Sequence, residues 1–296
     1  MPKARRRIRH RSGRLSLGGW ISLLILVLLS VVILIPIVFT FLYSFFPKSE
    51  ITAWLNQRGS FDAGKWMDVI ISPAEFSLRQ YYTILIENPT YLKYFCNSVM
   101  YAGAILLGQA LIVPLTAYAL SRFTFRGRDA IFFLILVLMI LPFQVTMAPS
   151  VMVLRYLGLM NTIWAVILPM CFSPFYIFLL RQFMVSIPNE LLEAGMVDGV
   201  GPLRGYVHVI LPVCRPILGA AAALSFADCW NMVEQPLVYL AGATSLQPLS
   251  TMFNQISTEG ADVAFAGSAL YILPTLLIYL YFQEDIVAGI QLSELK

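Results

Sequence analysis

The chain has 296 residues, 59% of them hydrophobic and only 12% charged, with a mean hydropathy of +0.77. Soluble domains carry about 25% charged residues, and half that share cannot cover a soluble surface of this size. Composition excludes a soluble enzyme, a disordered chain and a disulfide scaffold, and leaves 20 Lys and Arg and 16 Asp and Glu to be explained.

In chain order, the first feature is a basic run: Lys3, Arg5, Arg6, Arg7, Arg9, Arg11 and Arg14. It could bind nucleic acid, but beside a spanning segment orientation is the simpler role, and no nucleic-acid partner is expected. No charge occurs from Leu15 to Pro47. A signal-peptide core is about 7–15 residues, so this run is a retained membrane helix. Residues 1–19 form a basic segment and 20–46 the first span.

Further uncharged runs are long enough for the about 20 residues a crossing needs. They are Phe95–Ser121, Ala130–Leu154, Tyr156–Leu180, roughly Val213–Leu240 (interrupted by Asp228 and Glu234) and Val263–Gln283. The fold expected is all-α with six transmembrane helices. A short turn near Val151–Gly158 has to separate the third span from the fourth. Pro36, Pro114, Pro142, Pro169, Pro174 and Pro274 fall inside runs, where neighbouring helices can satisfy the freed carbonyls.

Lys and Arg placement sets the orientation. With the N-terminus inside, fourteen basic residues lie on inner segments and six outside (Lys48, Arg58, Lys65, Arg79, Lys93, Arg155). The excess predicts that both termini are cytoplasmic. The outer segment 47–94 carries Trp54, Trp66, Tyr81 and Tyr82 and is read as an interfacial cap rather than a substrate site. Cys96, Cys171, Cys214 and Cys229 lack metal-site spacing and are read as small apolar residues. With His10 and His208 as the only histidines, no metal site is expected.

The inner loop between spans four and five contains a short helix, 189–200. Pro188 and Asn189 suit a helix start, and Glu190 falls in the first turn where the dipole favours it. Gly199 and Gly201 end it. The pattern alone fits either an interfacial helix or a docking element for a cytoplasmic partner.

Spacing within this loop resembles the EAA loop of type I ATP-binding-cassette importer permeases: Glu193-Ala194-Gly195, then Asp198-Gly199, then Tyr206, Val209, Leu211 and Pro212. Departures are mild; Gly195 for Ala costs the helix about 1 kcal/mol. Leu141-Pro142-Phe143-Gln144, Gly158-Leu159-Met160-Asn161-Thr162, Phe175–Phe183 and Phe226–Asn231 are similar to signatures of the carbohydrate branch, in particular the smaller permease subunit of maltose-type transporters. The resemblance covers about Phe95 to Gly289, so 95–289 is taken as the transmembrane core domain and 290–296 as a cytoplasmic tail.

The resemblance implies a subunit of a sugar or oligosaccharide importer in a bacterial or archaeal cytoplasmic membrane. It implies a second homologous permease as heterodimer partner, a cytoplasmic ATPase dimer and an extracytoplasmic solute-binding protein. Helix 189–200 would be the coupling helix, with Glu190, Glu193, Ala194, Gly195, Asp198 and Gly199 meeting the ATPase. The chain itself would need no cofactor, ATP and Mg being bound by the ATPase subunits. Glu284 and Asp285 replace the family's basic and aromatic residues near the C-terminus, which weakens the case for a tail contact.

Charges inside spans are functional candidates by default. Asp228, Asn231 and Gln235 are spaced to share one helix face, with Trp230 and Glu234 on the neighbouring stripe. Carboxylate, amide and indole together suit sugar hydroxyls and C–H faces, but a polar seam against the second permease is the favoured reading. In maltose-type relatives the partner permease holds most of the substrate. No GxxxxGK[ST] loop is present, so this chain is not itself the ATPase, and no catalytic constellation stands out. The alternatives kept open are a permease for a glycerol phosphodiester or similar solute, and a secondary carrier.

Overall fold

The computed structural model describes residues 17–57, 72–188, 190–191, 201–253 and 261–294, and no strand occurs among them. Four helices are long and apolar enough to cross a membrane, or six when two bent pairs each count as one span.

Helix α1 (Leu17–Tyr43) stands apart from the bundle. None of its most apolar window is buried within the chain. Only its far end is held: Tyr43 packs on Phe265, with ring centroids 5.3 Å apart, and on Trp54 of α2 (Lys48–Gln57). Farther on, α3 (Arg79–Tyr82) runs into a π-helical turn, Thr83–Glu87. Tyr81 donates to Ser44 Oγ at 2.7 Å, and buried Gln80 donates to the Phe46 carbonyl. Trp54, Tyr81 and Gln80 thus cap the end of α1, while Tyr82 is exposed. Trp66 lies outside the described residues.

Helix α4 (Pro89–Arg122) is the central rod of the bundle. Asn88 caps its start by accepting from the Thr90 N–H at 3.1 Å, with Pro89 in the first turn. Around it lie α5 (Arg128–Ile140), α6 (Phe143–Tyr156), α7 (Ile163–Cys171), α8 (Pro174–Ser186), α9 (Pro202–Val213, with a π-helical turn at Tyr206–Ile210), α10 (Arg215–Trp230) and α11 (Glu234–Tyr239). After the short α12 (Leu249–Met252), α13 (Ala261–Glu294) closes the bundle against α10. The close approaches need small residues. A β-carbon on Gly108 of α4 would overlap Cys171 of α7, and one on Gly219 of α10 would press on the Asp285 carboxylate of α13.

Three expectations for the spans need correction. The third, Ala130–Leu154, is not one rod: α5 and α6 meet at 110°. Pro142 is the cause. It forces Leu141 into extended backbone (φ −66°, ψ 124°) and offers no N–H. The separating turn is later than Val151–Gly158. Helix α6 runs to Tyr156, and the turn spans Leu157–Thr162, where Gly158 (φ 68°) and Asn161 (φ 62°) are left-handed. The fourth span is therefore Ile163–Ser186.

The fifth span is not a continuous Val213–Leu240. A bend of 76° separates α9 from α10, and α10 stops at Trp230. There the Asn231 N–H and side-chain amide both donate to the Ala227 carbonyl, at 3.0 and 2.9 Å, and the helix goes no farther.

Candidate functional site

Two places gather polar chemistry. The first is the C-terminal end of α4. Tyr118 and Arg122 are one turn apart and share a face. The Arg122 guanidinium donates to the carbonyls of Met184 and Ile187 at 2.6 and 2.8 Å, capping the end of α8. Cations at a helix C-terminus are favoured by the exposed carbonyls and the dipole. Tyr118 donates to the Pro202 carbonyl at 3.1 Å and packs on Tyr206, with centroids 5.0 Å apart. One helical turn of α4 therefore grips the chain on both sides of segment 189–200. Behind it, Ala117, Ile177, Leu180, Met184, Ile210 and Cys214 form a dry core.

Within that segment Glu190 and Leu191 are helical and exposed. Glu193, Ala194, Gly195, Asp198 and Gly199 lie outside the described residues. Sequence reasoning counted Arg122 only toward orientation. The spacing of Tyr118 and Arg122 at a span end was the available signal, but their partners are backbone carbonyls, which no motif displays.

The second place is the break between α10 and α11. Asp228 is exposed and accepts a hydrogen bond from Tyr176 of α8 at 2.6 Å. Glu234 accepts from the Gln144 amide of α6 at 3.0 Å through both oxygens. Deeper, Gln109 of α4 donates to the Met170 carbonyl at 2.8 Å and accepts from Ser225. Interhelical hydrogen bonds of this kind are worth about 0.6–2 kcal/mol in a membrane.

The expected single face of Asp228, Asn231 and Gln235 does not exist, because α10 ends before Asn231 and Gln235 belongs to α11. Trp230 is also not available to a sugar. It is 1% exposed, stacked on Phe226 and Tyr271 at 5.4 and 5.6 Å, and edge-on to Phe95. Its indole donates to the Tyr271 carbonyl at 3.0 Å, and the Tyr271 hydroxyl donates to the carbonyl of Trp230 and to Asn231 Oδ1. The residues at the break that remain open are Asp228, Asn231 and Glu234, all exposed, with Gln235 half-buried. Tyr176 and Gln144, missed in the sequence, orient the two carboxylates.

Residues 110–287 match the family described as the binding-protein-dependent transport system inner membrane component. The chain belongs to that family. Among curated relatives of this inner membrane component is the arabinooligosaccharides transport system permease protein AraQ of Halalkalibacterium halodurans. It is 28% identical over 288 residues, which cover 94% of this chain and 96% of AraQ. The sn-glycerol-3-phosphate transport system permease protein UgpE of Yersinia pestis is 32% identical over 67% of this chain and 72% of UgpE. A crystal structure of a bacterial ABC transporter involved in the import of the acidic polysaccharide alginate shares the fold. Its TM-score is 0.77 at 22% identity, covering 90% of this chain and 95% of that one. The inner membrane component is thus a multi-pass permease of an ABC importer, a class that works with an ATPase and a binding protein.

Proposed function

We propose that this permease moves a sugar or oligosaccharide inward as one half of a heterodimer with a second homologous permease. Both termini are then cytoplasmic, as the fourteen-to-six division of Lys and Arg supports. Segment 189–200 is the coupling helix, seated on a cytoplasmic ATPase dimer that binds the ATP and Mg. Glu190, Glu193 and Asp198 provide polar contacts, Ala194 and Gly195 allow close approach, and Gly199 supplies the turn. The observation that carries this reading is the double grip of α4: Arg122 before the segment and Tyr118 after it. Displacement of the segment is passed to the bundle through one rigid helix rather than absorbed in loops.

Support for a sugar comes from the near full-length match to AraQ. The match to UgpE favours sn-glycerol-3-phosphate as the second reading, over a shorter stretch. Asp228, Asn231, Glu234 and Gln235 are the candidates for the pathway, with carboxylates and amides that accept from hydroxyls. Their negative charge disfavours a phosphate.

The test is uptake in proteoliposomes holding the assembled transporter. Glu193→Lys and Gly199→Trp abolish uptake while the complex still assembles; normal uptake in both removes the coupling assignment. Labelled arabino-oligosaccharide enters and sn-glycerol-3-phosphate does not; the reverse result overturns the sugar assignment. Uptake without any ATPase would make the protein a secondary carrier.

A further inference from the structure

The last third of α13 faces α4, α8 and the α9–α10 corner across a cavity of about 560 Å³. Its body is apolar, with Leu106, Val113, Leu180, Leu218 and Ala222 in the wall. Apart from Tyr281, which is largely exposed, the uncharged polar side chains of the lining, Gln109 and Tyr176, are already paired. Gln109 is bonded to the Met170 carbonyl and to Ser225, and Tyr176 donates to Asp228. An unpaired buried hydroxyl loses about 1–3 kcal/mol, so this lining does not suit a sugar.

Two charged side chains, Arg215 and Asp285, reach the wall. Arg215 is the first residue of α10, and the Asp285 carboxylate lies against Gly219, about one turn farther on. Among the described residues the one ion pair within 4.0 Å is Arg128–Asp129, so Arg215 and Asp285 are not joined to each other. The wall follows α10 from Arg215 to Ala222, a length of about 10 Å. The cavity is therefore an apolar slot whose wall carries a cation at Arg215 and an anion at Asp285, about one helical turn apart along α10.

We propose that this cavity seats a membrane phospholipid with a phosphoethanolamine headgroup. Its phosphate rests on Arg215, its ammonium on Asp285, and an acyl chain fills the slot between α4, α8 and α10. The carboxylate selects against purely anionic lipids, which Arg215 alone would favour. A quaternary choline has no N–H to donate to the carboxylate, so the primary ammonium is the better fit. The inference depends on the chain being membrane-embedded and not on the identity of the transported solute.

The assembled transporter is reconstituted in nanodiscs of equal parts phosphatidylethanolamine and phosphatidylglycerol. Lipid retained after mild detergent extraction is then read by native mass spectrometry. Wild type retains phosphatidylethanolamine in excess. Arg215→Gln lowers that retention about fivefold, Asp285→Asn removes the preference over phosphatidylglycerol, and Ala222→Phe, which fills the slot, removes bound lipid of both kinds. Val113→Phe repeats the last result should Ala222→Phe fail to assemble. Retention indifferent to the slot-filling variants, a wild-type preference for phosphatidylglycerol, absence of retained lipid, or displacement by added oligosaccharide each overturns the assignment.

Discussion

The Arg122 guanidinium donates to the Ile187 carbonyl across 2.8 Å, joining the last residue of one transmembrane helix to the residue after the end of another. A second bond from the same terminal nitrogen to the Met184 carbonyl at 2.6 Å ties both carbonyls to one charged group. Loss of such charge-assisted bonds costs about 1.5–3 kcal/mol each when the carbonyls stay buried.

Arg122→Leu therefore frees the end of α8 from α4. In proteoliposomes the expected outcome is at least about tenfold less solute moved per ATP, with ATP hydrolysis by the assembled complex retained. Arg122→Lys keeps the charge on a shorter side chain and falls between. An unchanged ratio of transport to hydrolysis in the Leu variant would show that the grip transmits nothing.

Tyr176 and Asp228 form a hydroxyl–carboxylate bond of 2.6 Å between α8 and α10. Tyr176→Phe and Asp228→Asn should each lower the thermal midpoint of the solubilised protein, and the double variant should lose less than their sum. The expected coupling is about 1 kcal/mol. Strict additivity would mean that the two side chains do not interact in the membrane.

Gly108 lets α4 lie close against α7, because a β-carbon there would overlap the Cys171 sulfur. Gly108→Ala is expected to destabilise by about 1–3 kcal/mol through overpacking. Adding Cys171→Ala removes the sulfur and should restore part of the loss. Thermal unfolding of the single and double variants checks this, and the absence of rescue would place the strain elsewhere.

Asn161 combines a left-handed backbone (φ 62°) with a side chain that accepts from the Gly242 N–H at 2.8 Å. Asn161→Gly loses only the side-chain bond, whereas Asn161→Ala also carries the left-handed penalty of about 1–2 kcal/mol. Midpoints ordered wild type, Gly, Ala are expected; an Ala variant more stable than the Gly variant would contradict the role of the backbone angle.

The long rods α1, α4 and α13 were legible because apolar length alone defines a span. The breaks at Pro142 and Asn231 were not: Pro142 removes a backbone donor inside a smooth apolar run, and Asp228 and Glu234 mark polarity without marking where α10 stops. Trp230 was misplaced for a related reason. Helical spacing gives its stripe, but the Phe95, Phe226 and Tyr271 rings that enclose it come partly from other helices. Arg122 looked like one more inner cation, because carbonyl acceptors leave no mark in a sequence.

Helix α1 rests on the bundle only at its far end, so its long apolar stretch adds no packing energy to the fold of this chain. An apolar stretch without neighbours takes its direction from its flanks, and on the proposed topology the flank is the run of seven cations at the N-terminus. Neutralising those cations would leave the stability of correctly inserted molecules untouched. The damage would appear during synthesis, as a population threaded the wrong way from its first helix onward.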